Sequence, residues 1–436
     1  MNILSPVTSC VHPVAQPRSA HFQLWVNGEP VDALLAEKAD FAVFECGSPV
    51  HIAIVAATAA EGTQVKPLSR GITPSVDGRA IRFQIDGPQC LCVDVPGLKP
   101  FFIYANAPEI AKPSPRDPDV RYFAAGKIHE AGEIELTSGQ TLYIEAGAVV
   151  RGFVRATGAD NVSIRGQGIL DGRWHDYAKG DRIRSVIFER CTRVRVSDII
   201  MIEPTSWMLV FACCRDVHVD GLKQIGSCMS SDGIDVCASR DVLIENCCLR
   251  NDDDNIAVKA GTFDKTSIWE GDVDNVVVRR CIFLNGQPGN AMEIGYELST
   301  DRISNIAFED IDVLNAHGEG AVFSIHNGDR AIVENVRWEN IRVEHYWDKL
   351  VDFRVVRSRY NKDPERGLIR NIRLKNIRIV HSVFNPGCSI SLISGYSGKK
   401  PARDIVFEDF YLNEHKVSSA DELDLHTRNA ENIRFL

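Results

Sequence analysis

No apolar run in the chain approaches the roughly 20 residues of a membrane span, so no membrane partner is expected. The first residues, Met-Asn-Ile-Leu-Ser-Pro-Val-Thr-Ser-Cys, carry neither a basic segment nor a continuous apolar stretch. A secretory leader is not expected from them, and the expected location is the cytoplasm. Positive charge is in short supply. With 49 Lys and Arg against 59 Asp and Glu the net charge is −10, which disfavours nucleic acid as a partner. A disulfide framework is missing too, because the 13 cysteines are odd in number. Two adjacent pairs, Cys213-Cys214 and Cys247-Cys248, sit in strand-like runs. Neighbours on a strand point to opposite faces, which suits small buried thiols better than bridges. No His/Cys spacing resembles a zinc site, and neither a metal nor a cofactor is expected. The Leu-x-x-Leu-x-Leu signature of leucine-rich repeats is absent.

The composition, 44% hydrophobic and 25% charged over 436 residues, is that of a folded chain too long for one ordinary core unless a repeat spreads that core along an axis. Such a repeat is present. Asn or Asp followed by Val or Ile alternating with polar residues starts at 161, 216, 241, 275, 305, 335, 371, 404 and 432, with Arg-Val-Arg-Val at 193 in the same series. Period-2 alternation marks strands, and its return every 23 to 36 residues marks stacked coils. The fold expected is an all-β parallel β-helix of about ten coils.

A second ladder lies between these motifs: Gly-Ile-Asp-Val (233–236), Asn-Ile-Ala-Val-Lys (255–259), Ala-Met-Glu-Ile-Gly (291–295), Val-Phe-Ser-Ile-His (322–326) and Leu-Val-Asp-Phe-Arg (350–354). With its apolar members inward, alternation predicts two outward columns. One holds Asp235, Ala257, Glu293, Ser324 and Asp352, and the other Cys237, Lys259, Gly295, His326 and Arg354. Residues 1–112 lack the repeat and show short alternating strands broken by turns, which predicts a small antiparallel β-sandwich. Pro108, Pro113, Pro115 and Pro118 mark the junction, with the helix expected over 113–436.

The chemistry concentrates in Ser-Ser-Asp-Gly-Ile-Asp-Val (230–236) and Arg-Asn-Asp-Asp-Asp-Asn-Ile-Ala-Val-Lys (250–259). From Asp232 to Asp253 is 21 residues, close to one coil, so the carboxylates are expected side by side. Crowded like charges cannot all keep ordinary pKa values, and glycosidic-bond hydrolysis needs one protonated and one ionised carboxyl group. Asp252 reads as a turn residue or as a neighbour that tunes the pair.

At these residues the chain resembles glycoside hydrolase family 28, the polygalacturonases, in which Asn-Thr-Asp-Gly, Asp-Asp-Cys-Ile-Ala, Gly-His-Gly and Arg-Ile-Lys line a right-handed parallel β-helix. Ser-Ser-Asp-Gly (230–233) matches the first motif and Asp-Asp-Asn-Ile-Ala (253–257) the second. The resemblance implies a metal-independent, inverting hydrolysis of an α-linked oligo- or polysaccharide. Asp253 would be the general acid, and Asp232 with Asp254 would activate water. Inversion implies carboxyl groups roughly 6.5–9.5 Å apart.

The third motif reads Gly-Asn-Ala (289–291), which puts Asn290 in place of a histidine that helps to position the acid. The fourth reads Ser-Ile-His (324–326), without the cationic pair that grips a galacturonate carboxylate. Polygalacturonate is therefore expected to be a poor substrate. The order of a sandwich and then a helix also resembles glycoside hydrolase family 49, the dextranases and isopullulanases, which act on neutral α-glucans. Trp207, Asp235, Lys259, Asn290, Glu293, His326 and Arg354 are the expected substrate-binding residues. The rival readings are a polysaccharide lyase and a non-catalytic carbohydrate-binding β-helix.

Overall fold

In the computed structural model, which describes residues 7–380 and 389–436, strands and loops are joined by only four short 3-10 turns among the described residues. From Val120–Phe123 onward the strands form one continuous stack in which each pairs in parallel with a strand one coil later. Near the aspartate motifs a coil holds three strands. Ile234–Cys237, Arg240–Glu245 and Cys248–Asn251 lie on Leu209–Ala212, Arg215–Asp220 and Lys223–Ile225. The chain is a parallel β-helix. Two short antiparallel pairings leave the stack, at Ile268–Trp269 and at His415–Lys416.

The repeat motif has a backbone origin. Its first residue adopts the left-handed conformation in every coil, with φ of 54° at Asn161, 55° at Asp216, 57° at Asn305 and 58° at Asn335. Asn and Asp tolerate that region better than other L-residues. Their side chains also bond from coil to coil. Asn335 Nδ2 donates to Asn305 Oδ1 at 3.1 Å, and Asn371 Nδ2 donates to Asn335 Oδ1 at 2.6 Å. The Val or Ile that follows turns inward, and the core runs along the axis with Phe308, Trp338 and Phe353 stacked at 5.6 and 5.3 Å.

The N-terminal region folds as two facing sheets around Phe22, Leu24, Ile54 and Phe101. The expectation of a wholly antiparallel sandwich needs correction, because Asp40–Cys46 and Phe101–Asn106 pair in parallel. Phe101–Asn106 is buried on both faces. Phe101, Ile103 and Ala105 fill the sandwich, while Phe102 and Tyr104 join Leu34 and Phe41 against Ile169, Ile200 and Ile225 of the helix. Each buried large apolar side chain contributes roughly 1.5–3 kcal/mol, so this contact fixes the sandwich on one flank of the helix. The 12 described cysteines are unpaired and mostly buried, and Cys388 lies outside the described residues.

Candidate active site

The first predicted column forms in register throughout, and the second does so in two parts. Asp235 pairs with Ala257, Ala257 with Glu293, Glu293 with Ser324 and Ser324 with Asp352, while His326 pairs with Gly295 and Arg354. A register shift after Val258 breaks the second column between Lys259 and Gly295. These columns form one wall of a groove of about 570 Å³, lined by Trp207, Asp232, Asp253, Asp254, Lys259, Asn290, His326 and Arg354.

Asp232 closes the turn before Ile234–Cys237, and Asp253 and Asp254 close the turn before Ile256–Thr262. Stacking of those strands brings the three carboxylates together, with one oxygen of each within 4.8 Å of the others. Glycines let the turns close. A Cβ on Gly289 would lie 2.0 Å from the Asp253 carbonyl carbon, and one on Gly233 would lie 2.5 Å from the Asn255 carbonyl oxygen. Buried amides hold the backbone from below. Asn285 Nδ2 donates to the Asp253 carbonyl at 2.7 Å, Gln224 Nε2 to the Gly233 carbonyl at 2.9 Å, and Asn255 Nδ2 to Asn251 Oδ1 at 2.8 Å.

The three carboxyl groups have different surroundings. Asp253 is the most accessible of them, yet desolvation, followed by the charges of Asp232 and Asp254, pushes its pKa up to about 10. Its main polar contact is the Asp254 N–H, at 3.1 Å from Oδ1. Asp254 is buried and raised to about 7 by desolvation and then by Asp232 and Glu293. Its Oδ1 accepts from both the backbone N–H and Nδ2 of Asn290 at 2.8 Å. Asn290 therefore orients Asp254 rather than the acid. Asp232 accepts from Lys259 Nζ at 2.7 Å through Oδ2, and its Oδ1 is buried without a protein partner.

Lys259 is buried, and desolvation opposes its charge. Asp232 and Asp235 outweigh that penalty and hold its pKa well above the ordinary lysine value. The ammonium lies 3.0 Å from Asp235 and 4.1 Å from the centroid of Trp207. The Trp207 indole rests edge-on against Phe263 at 5.5 Å, which props it at one end of the groove.

Two expected substrate contacts are corrected by burial. Asp235 and Glu293 are 0% exposed and present no surface to the groove, because the wall built on their columns covers them. Asp235 lies beneath Lys259 at 3.0 Å, and desolvation pushes its carboxyl well above the ordinary value against the pull of that ammonium. Glu293 accepts from His326 Nδ1 at 2.9 Å, and His326 Nε2 lies 3.1 Å from Asp352. Burial alone would lower the His326 pKa, but Glu293 and Asp352 raise it to about 9. Despite burial, the Asp352 carboxyl is held below its ordinary range, first by His326 and then by Arg354, which bonds both its oxygens. His326 and Arg354 reach the groove with their charges already matched.

The residues that sequence reasoning missed lie mostly at the far end. Tyr296 stacks on His326 at 4.4 Å, Tyr360 lies 5.5 Å from Tyr296, and Glu297, Lys349 and Arg359 complete the lining. Tyr296 and Glu297 continue the ladder beyond Gly295 and were within reach of the alternation pattern. Tyr360 belongs to a loop with no periodic signal. Asp252 is drawn the other way, bonding Arg250 at 2.7 Å and lining a separate cavity.

Comparison with known proteins agrees with this geometry. A probable exopolygalacturonase C of Aspergillus terreus is 32% identical over 146 residues, 30% of this chain and 30% of that protein. A probable polygalacturonase of Arabidopsis thaliana is 22% identical over 236 residues, 52% and 49% of the two chains. The matched stretches span a quarter to a half of the length of these curated relatives. Among solved structures, Dex49A from Penicillium minioluteum superposes with a TM-score of 0.70 at 13% identity, covering 96% of both chains. The polygalacturonase from Erwinia carotovora ssp. carotovora superposes at 0.56 and 16% identity, covering 71% of this chain and 86% of that one. The profile of glycosyl hydrolases family 28 matches residues 123–410, about two thirds of the chain and all of the aspartate cluster, and the chain belongs to that family.

Proposed function

We propose that the chain hydrolyses α-linked glycosidic bonds of a neutral oligo- or polysaccharide. Asp253 gives its proton to the glycosidic oxygen, and Asp232 with Asp254 draws a proton from the attacking water. The observation that carries this reading is the grouping of the carboxyl groups on one groove wall, with the most accessible of them held protonated. A general acid with a raised pKa beside an ionisable partner is what bond cleavage to a sugar leaving group requires. Lys259 binds Asp232 at 2.7 Å in a buried site, and Asn290 fixes the oxygen of Asp254. Family resemblance favours a single displacement with inversion over a double displacement. The first anomer released, read by NMR, separates them: a β-anomer from an α-linked substrate supports inversion, and an α-anomer replaces it.

The neutral-sugar reading rests on the internal pairing of His326 with Glu293 and of Arg354 with Asp352, which leaves neither cation uncommitted. A carboxylate desolvated without a partner costs several kcal/mol. A second reading, a pectin-related uronate, is favoured by Arg359, which stacks 4.8 Å from the centroid of Tyr360 at the groove mouth. Reducing-end assays on α-glucans, polygalacturonate and aryl glycosides decide the matter, and efficient cleavage of polygalacturonate would select the uronate. An ultraviolet-absorbing unsaturated product would mark a lyase, and no product from any glycan would mark a binding module. The same three carboxylates are close enough to hold a cation, so the metal-independent reading requires full activity after chelation. With Trp207 propped at one end of the groove, end-wise release is expected over random internal cleavage.

A further inference from the structure

The larger cavity of the molecule is not the catalytic groove. About 1220 Å³ in volume, it lies between the sandwich and the helix, with Gln64, Lys66 and Asp94 on one side and Arg250, His317 and Glu344 on the other. It exceeds the usual 300–1,000 Å³ of a small-ligand site and is about twice the volume of the groove. The two spaces share a rim, since Met229, Pro288 and Glu319 line both. A chain leaving the aspartate cluster over this ridge enters the cavity directly.

The lining has the chemistry of a neutral polyhydroxyl ligand. Its charges are matched internally, with Lys66 on Asp94 at 2.8 Å and Arg250 on Asp252 at 2.7 Å. No cationic excess is left to hold a polyanion. Hydrogen-bonding capacity comes from the neutral amides of Gln64, Gln287 and Asn315 on its lining. Flat and apolar surface accompanies them. His317 and His345 stack at 5.1 Å, and Leu284, Leu314 and Pro96 add hydrocarbon suited to the C–H face of a sugar ring. Burial lowers the pKa of both imidazoles, so they add no positive charge at neutral pH.

We propose that this cavity is a second carbohydrate site that binds the remote sugars of the same neutral oligosaccharide whose scissile bond lies at Asp253. The proposal rests on the hydrolase reading above. It makes the sandwich part of substrate recognition, with affinity growing until the chain has crossed the Met229–Pro288 ridge and filled the cavity.

The test is calorimetric binding of isomaltose, maltose and their heptasaccharides to full-length Asp253→Asn protein, in which no turnover interferes. The heptasaccharide of the preferred linkage is expected to bind at least tenfold more tightly than its disaccharide. Adding Glu344→Ala should bring that ratio close to one. Gln64→Trp, a change at an exposed position on the cavity wall, should do the same by filling the space without touching a buried group. Equal affinities for the two lengths, or a ratio unchanged by both substitutions, would overturn the second site. Hydrolysis by the wild-type protein with no length dependence would do so while leaving the hydrolase reading intact. Absence of hydrolysis on every glycan would instead remove the reading on which the proposal rests.

Discussion

Two clusters of buried charge sit on the same wall of the helix, one built on Asp232, Asp253 and Asp254 and the other on Glu293, His326, Asp352 and Arg354. In the second, signs alternate and every charge meets its opposite within hydrogen-bond distance. Accordingly His326 is held protonated and Asp352 ionised, each in the state that its partners favour. In the first, three carboxyl groups share one nearby cation, Lys259, and two of the three are pushed toward the neutral form. The paired cluster stabilises the wall. The unpaired cluster holds a proton that neutral water would otherwise remove. A fold that satisfies four charges a coil or two away has the means to satisfy these, so the shortage at Asp253 supports the catalytic role proposed for it.

The largest effect expected from breaking this contrast is on rate. Asp253→Asn should lower hydrolysis by roughly 10²–10⁴-fold, the scale of a lost general acid, with an unchanged circular dichroism spectrum. Asp232→Asn and Asp254→Asn should each cost about 100-fold or more. Turnover near normal in Asp253→Asn would place the acid elsewhere, with Glu297 and Glu319 as unassigned carboxyls of the groove.

The paired cluster should respond in stability instead. His326→Ala leaves Glu293 buried without its cation, while Asp352 keeps Arg354, and breaking a buried pair in this way costs about 3–5 kcal/mol. The urea midpoint should fall accordingly. The pH dependence has a definite sign. Because the folded pKa of His326 is raised from 6.5 to about 9, its contribution is complete below 6.5 and is lost as pH rises through about 9. A midpoint unchanged by His326→Ala would show that the triad is not coupled to folding.

Asp253 behaves in the opposite sense to a salt-bridged carboxylate. Its folded pKa lies above its ordinary 3.8, at about 10, so between those values the native state binds the extra proton and stability falls as pH rises. Asp253→Asn removes that penalty. Its melting temperature should match the wild type near pH 4 and exceed it by a growing margin toward pH 9. A constant difference across this range would mean that Asp253 titrates normally.

The smallest effect concerns Asn290. Asn290→Ala loses the Nδ2 hydrogen bond to Asp254, worth roughly 0.5–1.5 kcal/mol net, which should move the acidic limb of the pH–rate profile upward by up to about one unit. The backbone N–H remains in Asn290→Ala, so a shift well beyond that would show that Asn290 does more than orient Asp254.

The helix itself was legible because its repeat is written twice, once in alternation and once in the Asn or Asp that each left-handed turn favours. The columns were legible for the same reason, down to the Ser324–Asp352 and His326–Arg354 neighbours. Depth was not. Alternation predicts which side of a strand a residue occupies, but not whether that side is covered, so Asp235 and Glu293 read as substrate contacts although they lie beneath the surface. The parallel pairing of Asp40–Cys46 with Phe101–Asn106 joins strands more than 50 residues apart, and short-range turn signals carry no information about it. Tyr360 and the sandwich-facing cavity were missed because loops and domain contacts have no period.

The central claim is that burial and like-charge crowding keep Asp253 protonated where an ordinary aspartate would be ionised. Its most direct test is a ¹³C NMR titration of the aspartate carboxyl groups, with the Asp253 signal assigned from its loss in Asp253→Asn. The account predicts a carboxyl that stays neutral through pH 7 and titrates near 10. A signal that titrates near the ordinary 3.8 would contradict it.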